Sequence, residues 1–368
     1  MGLRYILGNI GMHPLLLLCF AALSCNKVQS TDNGRGEVFS KTGTGASAAS
    51  SVEQTNIQPL SFNAGIATMI NGISRSALEP LVNEMTGEVA TTLNGKTYTI
   101  TTRAEGAGQL TRNTEQWFYE HLSSYGVSTL YAPYSGRGTV SFGQNIIGQI
   151  TGTVNPKNIV VIGCHIDARP WYRTSTTSFG ADDDASGCAA VLRLAQLFAG
   201  HQFANTIRFA FFNAEENGSW MSTDWGAGYY AAQAKAKGEN IVAMISADAL
   251  AWNPNLSSQI AYMVTRKAGK DPGNLDHAIA NSWLQAISTY NITGFQPKIQ
   301  ESGDNLDDHG AFWNAGFPAV MLIEDDLTQV NPNWELLSDR VSTFNWPFYV
   351  QLTKSLVATA SVLAGYIK

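Results

Sequence analysis

Four short, nearly continuous apolar runs constrain the fold of this chain most: Asn158 to Gly163, Ile207 to Phe212, Ile241 to Ser246 and Pro318 to Ile323. A strand with one wet face alternates apolar and polar residues, so runs rich in Val, Ile and Phe without alternation belong in a sheet covered on both faces. Segments of helical length and period alternate with them, Ala185 to Phe198, Ala227 to Ala236, Asp276 to Thr289 and Phe348 to Tyr366, and can supply the cover. The expected fold class is α/β with a mainly parallel central sheet. Upstream, Ser76 to Val89 and Asn113 to Tyr125 carry apolar residues at helical spacing, while Thr97 to Thr101 and Asn145 to Gly152 alternate as strands do. At 368 residues, 44% of them hydrophobic, the chain has ample material for one large core. No repeat of fixed period is present in it.

In open sheets of this kind, ligands collect beyond the carboxyl ends of the strands. The first run ends in Cys164-His165-Ile166-Asp167, the second in Asn213-Ala214-Glu215-Glu216 and the third in Ala247-Asp248. Two loops add Asp182-Asp183-Asp184, within Gly180 to Gly187, and Asp307-Asp308-His309. Singly, each has an ordinary explanation: a hydrogen-bonded surface pair, a solvated turn, or N-capping and dipole compensation before a helix. Five such groups at successive sheet edges, in a chain with only 6 His, point to a shared purpose. Imidazole nitrogen together with carboxylate oxygen is a donor set that zinc takes.

In order and spacing, GCHIDARP, FGADDDASGCAAV, FFNAEENGS, ISADALAW and DDHGAFWNAGFPAVM resemble the co-catalytic zinc aminopeptidase family of the bacterial leucyl aminopeptidase type. That family is related to glutaminyl cyclases and glutamate carboxypeptidases, and the resemblance runs from about Thr111 to the C-terminus. It implies a phosphorylase/hydrolase-like α/β/α sandwich and two Zn²⁺ ions per chain. By position, Asp183 would bridge the two ions, His165 and Asp248 would complete one site, and Glu216 and His309 the other. Asp182 and Asp184 would support them. Asp167, two residues after a ligand His, would accept that imidazole's second N–H and fix its tautomer. Glu215, adjacent to a ligand, would be the general base, taking a proton from metal-activated water and returning it to the departing amine. In this family zinc also helps receive the free α-amino group, which restricts cleavage to the first residue of a peptide. Ser186 is expected to cap or pack, since no Gly-x-Ser-x-Gly elbow occurs.

The chain departs from the family's pattern in three places. Asn217 to Gly228 is longer than the usual link and holds Trp220 and Trp225, Arg-Pro-Trp in HIDARPW resembles the bacterial glutaminyl cyclases, and Ala249-Leu250 follow Asp248. Three rival readings follow: a single-zinc glutaminyl cyclase, a carboxypeptidase for acidic peptides relying on Arg169 and Arg173, and a lipid-anchored binding protein on a dead peptidase scaffold. A full ligand set with Glu215 present opposes the last. Asn331 to Trp346 would wall the cleft, whereas His121, His201 and His277 are assigned surface or capping roles.

Arg4 precedes an apolar run, Pro14 to Leu23, too short to span a bilayer, so residues 1–24 are expected to be a signal peptide of the lipoprotein type. Ala22-Leu23-Ser24-Cys25 resembles the bacterial lipobox, which would make Cys25 the lipidated first residue. Cleavage without lipid, or a start at Met12, are the alternatives. Residues 25–55 read as a flexible linker and 56–368 as a zinc peptidase domain with an N-terminal helical extension. The expected location is the bacterial cell envelope or outside it, with the membrane touched only through the lipid. A net charge of -6 and no Lys/Arg run exclude nucleic acid as a natural partner, leaving peptides and a monomeric chain as the expectation. Cys164 and Cys188 sit in apolar contexts, as one bridge or as two buried thiols.

Overall fold

The computed structural model describes residues 60–134, 143–169, 177–224, 226–254, 259–303, 306–325 and 328–368, all within the compact unit Val52–Lys368. The expected signal peptide, Cys25 and the linker lie outside the described residues, as do Trp171, Arg173, Trp225 and the side chain of Trp220.

A short antiparallel hairpin, β1 (Thr91–Leu93) with β2 (Lys96–Tyr98), stands apart from the main sheet, so the alternating stretch at 97–101 is only partly a strand. The main sheet contains β3 (Ser128–Pro133), β4 (Gln144–Ile150), β5 (Asn155–His165), β6 (Asn205–Phe212), β7 (Asn240–Ala247), β8 (Ile260–Arg266), β9 (Gln296–Ser302) and β10 (Val320–Glu324). Its order is β3-β4-β6-β5-β7-β10-β8-β9. The four central strands, which are the four apolar runs, are mutually parallel, while β4 and β8 flank them antiparallel. Parallel strands end on one edge, which brings the residues after β5, β6 and β7 together.

Both faces of β5 are apolar because both are packed. Val160, Ile162 and Cys164 enter a core shared with α1 (Ala64–Asn71), α2 (Arg75–Met85), α3 (Gln109–Ser124), α4 (Gly187–Phe198), α6 (Leu275–Thr289) and α8 (Trp346–Ala364). Ile159 and Val161 enter a second core with α5 (Gly226–Ala236) and α7 (Asp308–Ala315). The layers are therefore helix, sheet, helix, as the resemblance implies. Asn63 caps α1 by accepting from the Gly65 and Ile66 N–H groups, and Asn345 caps α8, whose Pro347 suits a first turn. Among the described residues no helix is long and apolar enough to cross a membrane.

Candidate metal centre and active site

His165 is the last residue of β5 and is buried. Its Nδ1 donates to the Asp167 carbonyl at 3.0 Å, which leaves the Nε2 lone pair facing the cleft. There it meets Asp183 Oδ1 at 3.0 Å and Asp248 Oδ1 at 3.5 Å. Ligand atoms on a tetrahedral zinc stand roughly 3.4 Å apart, so this spacing fits an ion between the three side chains. Asp248 Oδ1 is buried and accepts no hydrogen bond, which is the other mark of a cation position. Burial opposes charging the imidazole, yet Asp167, Asp183 and Asp248 outweigh it and push its pKa well above the ordinary histidine value. Burial first, then Asp307, raises Asp248. Such crowding of carboxylates is what a divalent cation relieves.

The Asp run lies in the loop entering α4, and its three members do different work. Asp184 also has a carboxylate oxygen within 4.8 Å of a His165 ring nitrogen and an Asp248 carboxylate oxygen. Its oxygens, however, already accept from the backbone N–H groups of His165, Gly187 and Ala249, so its part is to tie β5, α4 and the end of β7 together. Gly187 is required at that junction, since a Cβ there would stand 2.0 Å from the Ala247 carbonyl. Asp182 turns away from the cleft, accepting from Ala251 N–H and from Asn331 Nδ2, each at 2.8 Å. Asp183 remains to face His165. Ser186 is saturated, donating to Asp182 O and accepting from Leu250 N–H, which agrees with a packing role.

After β6 the chain turns through Ala214 at φ 69°, a left-handed conformation that swings Glu215 and Glu216 into the cleft. Asn213 braces this turn, with its N–H on Asn145 and its amide on Glu115. Asp167 was expected to take the second N–H of His165 with its carboxylate. In the structure its backbone carbonyl lies 3.0 Å from that Nδ1 and its carboxylate Oδ1 3.6 Å, while its two carboxylate oxygens also hold the Glu215 and Glu216 N–H groups, each at 3.1 Å. It therefore fixes both the imidazole and the Glu-Glu pair. Glu215 is 6% exposed. Glu216 is half-buried, accepts from Arg169 N–H at 3.1 Å, and is raised well above the usual carboxylate range by burial, then by Asp183 and Glu215.

The 307–309 run sits at the start of α7. Ser246 Oγ donates to Asp307 at 3.0 Å and Ser219 Oγ to Asp308 at 3.2 Å. Burial, then Asp307 and Glu215, raise the Asp308 carboxyl. The His309 ring stands edge-on to Trp313, 4.4 Å between centroids, with Nδ1 3.8 Å from Asp307 Oδ1. Both His309 ring nitrogens are buried without a hydrogen bond, the same mark of a cation position that Asp248 Oδ1 carries. The three other histidines among the described residues lie elsewhere: His121 Nδ1 meets the Trp117 carbonyl, His201 faces Tyr366, and His277 pairs with Asp271.

Several supporting residues were not foreseen, because nothing near them in the chain marks them. Asp339 accepts from the Asp182 and Asp183 N–H groups, and Asn331 holds Asp182, so the expected wall from 331 onward is pinned to the ligand run. Glu324, fully buried at the end of β10, accepts from Trp252 N–H, and burial followed by the nearby Asp182 charge raises its carboxyl. Glu105 accepts from Asn217 Nδ2 at 3.0 Å, and its pKa is pushed up to about 7 by burial, then by Asp167 and Glu115. A folded-state pKa above the unfolded value of 4.5 means that stability is lost as pH rises from there to about 7. Glu105→Gln is thus expected to leave the melting temperature unchanged at pH 4.5 and to raise stability by about 1–3 kcal/mol at pH 8. Melting curves across that range check it, and a constant offset between variant and wild type would refute it.

A carboxylate–imidazole cluster at the carboxyl edge of the parallel strands of a helix–sheet–helix fold is a site able to hold a divalent cation. The chain belongs to peptidase family M28, whose model matches residues 145–360. It is 25% identical over 229 residues to a Saccharomyces cerevisiae protein named probable aminopeptidase YDR415C, covering 60% of this chain and 58% of that one. It is 26% identical over 232 residues to a probable zinc metalloprotease of Leptosphaeria maculans, covering 57% and 52%. The chain thus spans little more than half the length of these curated relatives. The Legionella pneumophila LapA aminopeptidase shares the fold, with a TM-score of 0.65 at 17% identity over 91% of this chain and 81% of that one.

Proposed function

We propose that this chain is a zinc-dependent aminopeptidase that hydrolyses the first residue from peptides, with Glu215 as general base. The observation that carries the reading is the convergence of His165 Nε2, Asp183 and Asp248 at zinc-ligand spacing. The names given to the relatives from Saccharomyces cerevisiae and Leptosphaeria maculans support the same chemistry. Bound zinc would supply a Lewis acid and bring the pKa of water towards neutrality. His165, held in one tautomer by the Asp167 carbonyl, would offer Nε2 to one ion with Asp183 and Asp248 as carboxylate partners, and Glu216 and His309 would hold a second together with Asp183. Glu215 accepts the proton of the attacking water and returns it to the leaving amine, so that one water is consumed for each peptide bond broken. Asp167 holds its backbone N–H in place. The reading also includes an exported chain tethered by a lipid on Cys25, which metabolic labelling with palmitate would test.

The test is mass spectrometry of peptides beginning with Leu, Phe, Glu and Gln, incubated with the protein with and without a chelator. Stepwise loss of whole N-terminal residues, abolished by chelation, is expected. Loss of ammonia from the Gln peptide alone would make it a glutaminyl cyclase, and no change would make it a binding protein.

A further inference from the structure

Arg169 brings a guanidinium to the segments that carry two of the expected ligands. Its backbone N–H donates to Glu216 Oε1 at 3.1 Å, so the residue stands directly beside that glutamate. Its side chain leaves the loop after β5, and Nη1 donates to Glu335 Oε1 at 2.8 Å. The segment that carries Glu335 is fastened to the Asp182–Asp183 run on both sides of it. Asn331 Nδ2 donates to the Asp182 carboxylate on one side, and on the other the Asp339 carboxylate accepts the Asp182 and Asp183 N–H groups. The Arg169–Glu335 pair therefore bridges the Glu216 side of the site to the Asp183 side.

Glu335 is a fixed post for the guanidinium. It holds φ 59°, a left-handed conformation uncommon for glutamate, which persists only where the surrounding structure over-determines it. The side chains of Arg169 and Glu335 are 43% and 28% exposed, so a solute can reach them. A guanidinium presents five N–H donors in a planar fork that matches a carboxylate, and it serves more than one acceptor at a time. On the aminopeptidase reading Glu215 returns a proton to the departing amine, so the residue after the scissile bond leaves from the side of the site where Glu215 and Glu216 stand. In a dipeptide that residue carries its free carboxylate only two bonds from the amine nitrogen. The carboxylates of Glu216 and Asp183 repel such an anion, whereas the Arg169 guanidinium attracts it.

We propose that Arg169 receives the terminal carboxylate of a dipeptide, with Glu335 holding the guanidinium in place, so that dipeptides are preferred to longer or amidated peptides. This rests on the aminopeptidase reading above and adds its substrate class. A longer peptide offers a neutral amide at the same point, which forgoes the charge-assisted, two-pronged pairing that arginine makes with a carboxylate.

The experiment measures kcat/KM of the zinc-loaded full chain on a dipeptide, its C-terminal amide and the matching tripeptide. Each begins with the residue removed fastest in the assay above and continues with glycine. Wild type should favour the dipeptide over the other two by about 10–100-fold, the range that a hydrogen bond to a charged group supports. In Arg169→Met that ratio should fall to about one, chiefly through a higher KM for the dipeptide, as expected when a ground-state contact is lost. Arg169→Lys should give an intermediate ratio, because an ammonium keeps the charge and loses the fork. Comparing the three substrates within each variant separates recognition of the carboxylate from damage to fold or metal, which lowers all three alike. A wild type that cleaves the three equally or favours the amide, or an Arg169→Met variant that keeps the wild-type ratio, would overturn the proposal and leave the aminopeptidase reading standing. If no residue is removed from any peptide, both fall.

Discussion

Glu215→Gln is expected to lower kcat by about 10²–10⁴-fold, the range assigned to a positioned general base, while zinc content stays at the wild-type value. Geometry makes this substitution a clean one. The Glu215 side chain is 6% exposed and lies on a short helical turn whose backbone is fixed independently, by Asp167 on the Glu215 and Glu216 N–H groups and by the left-handed Ala214. Glutamine has the same shape, so the turn and the adjacent Glu216 should not move, but an amide cannot accept a proton at neutral pH. The ligands His165, Asp183 and Asp248 make their mutual contacts without Glu215, so metal should remain. If peptide binding is governed by the cleft walls, KM should change little and the loss should fall on kcat. A variant within tenfold of wild-type kcat would remove Glu215 from the reaction.

The difference between what could and could not be read in advance follows from distance along the chain. β5, β6, β7 and β10 are legible because strands covered on both faces carry no polar alternation, and the candidate ligands directly follow three of them. β9, Gln296–Ser302, is a polar edge strand with a proline, and it gives no such signal. β8 is as apolar as the central four but runs antiparallel to β10, so its carboxyl end points away from the cleft and no ligand follows it. Within the site, His165 and the two glutamates were legible by position. The Asp167 carboxylate, expected beside the imidazole, also takes backbone donors 48 and 49 residues away, at 3.1 Å against 3.6 Å to His165 Nδ1, and no local pattern announces them. Asp339 and Asn331 bind the Asp182–Asp183 run from roughly 150 residues away, Asn331 at a separation of 149, and no local pattern encodes such a pairing. Buried polar partners of this kind are set by the finished fold, which must satisfy each donor it hides from water.

Arg103→Met is expected to cost about 3–5 kcal/mol of stability, the largest structural effect of any single change away from the ligands. Arg103 is 1% exposed, yet it lies in a stretch before α3 with no apolar or catalytic signature. Its guanidinium donates to the carbonyls of Ile166 at 3.0 Å, Met85 at 3.3 Å, Phe179 at 2.5 Å and Gly180 at 2.7 Å. Ile166 lies between His165 and Asp167, and Phe179 and Gly180 lead into the Asp182–Asp184 run, so one side chain joins the two segments that converge on the metal position. Methionine fills much of the volume but donates nothing, and each buried carbonyl left without a donor costs on the order of 1–3 kcal/mol. Arg103→Lys should fall between the two, because an ammonium has three donors and no planar fork to serve acceptors on three segments. Urea denaturation in chelator measures the loss directly. Repeating it in excess zinc should recover part of that loss, since an ion that binds only the folded chain stabilises it in proportion to the logarithm of its concentration over Kd. An Arg103→Met variant within 1 kcal/mol of wild type, as an order-of-magnitude threshold, would mean that water or other donors replace the guanidinium. The Asp182–Asp184 run would then have to be held in place by Asp339 and Asn331 alone, and Asp339→Ala would become the variant that loses metal.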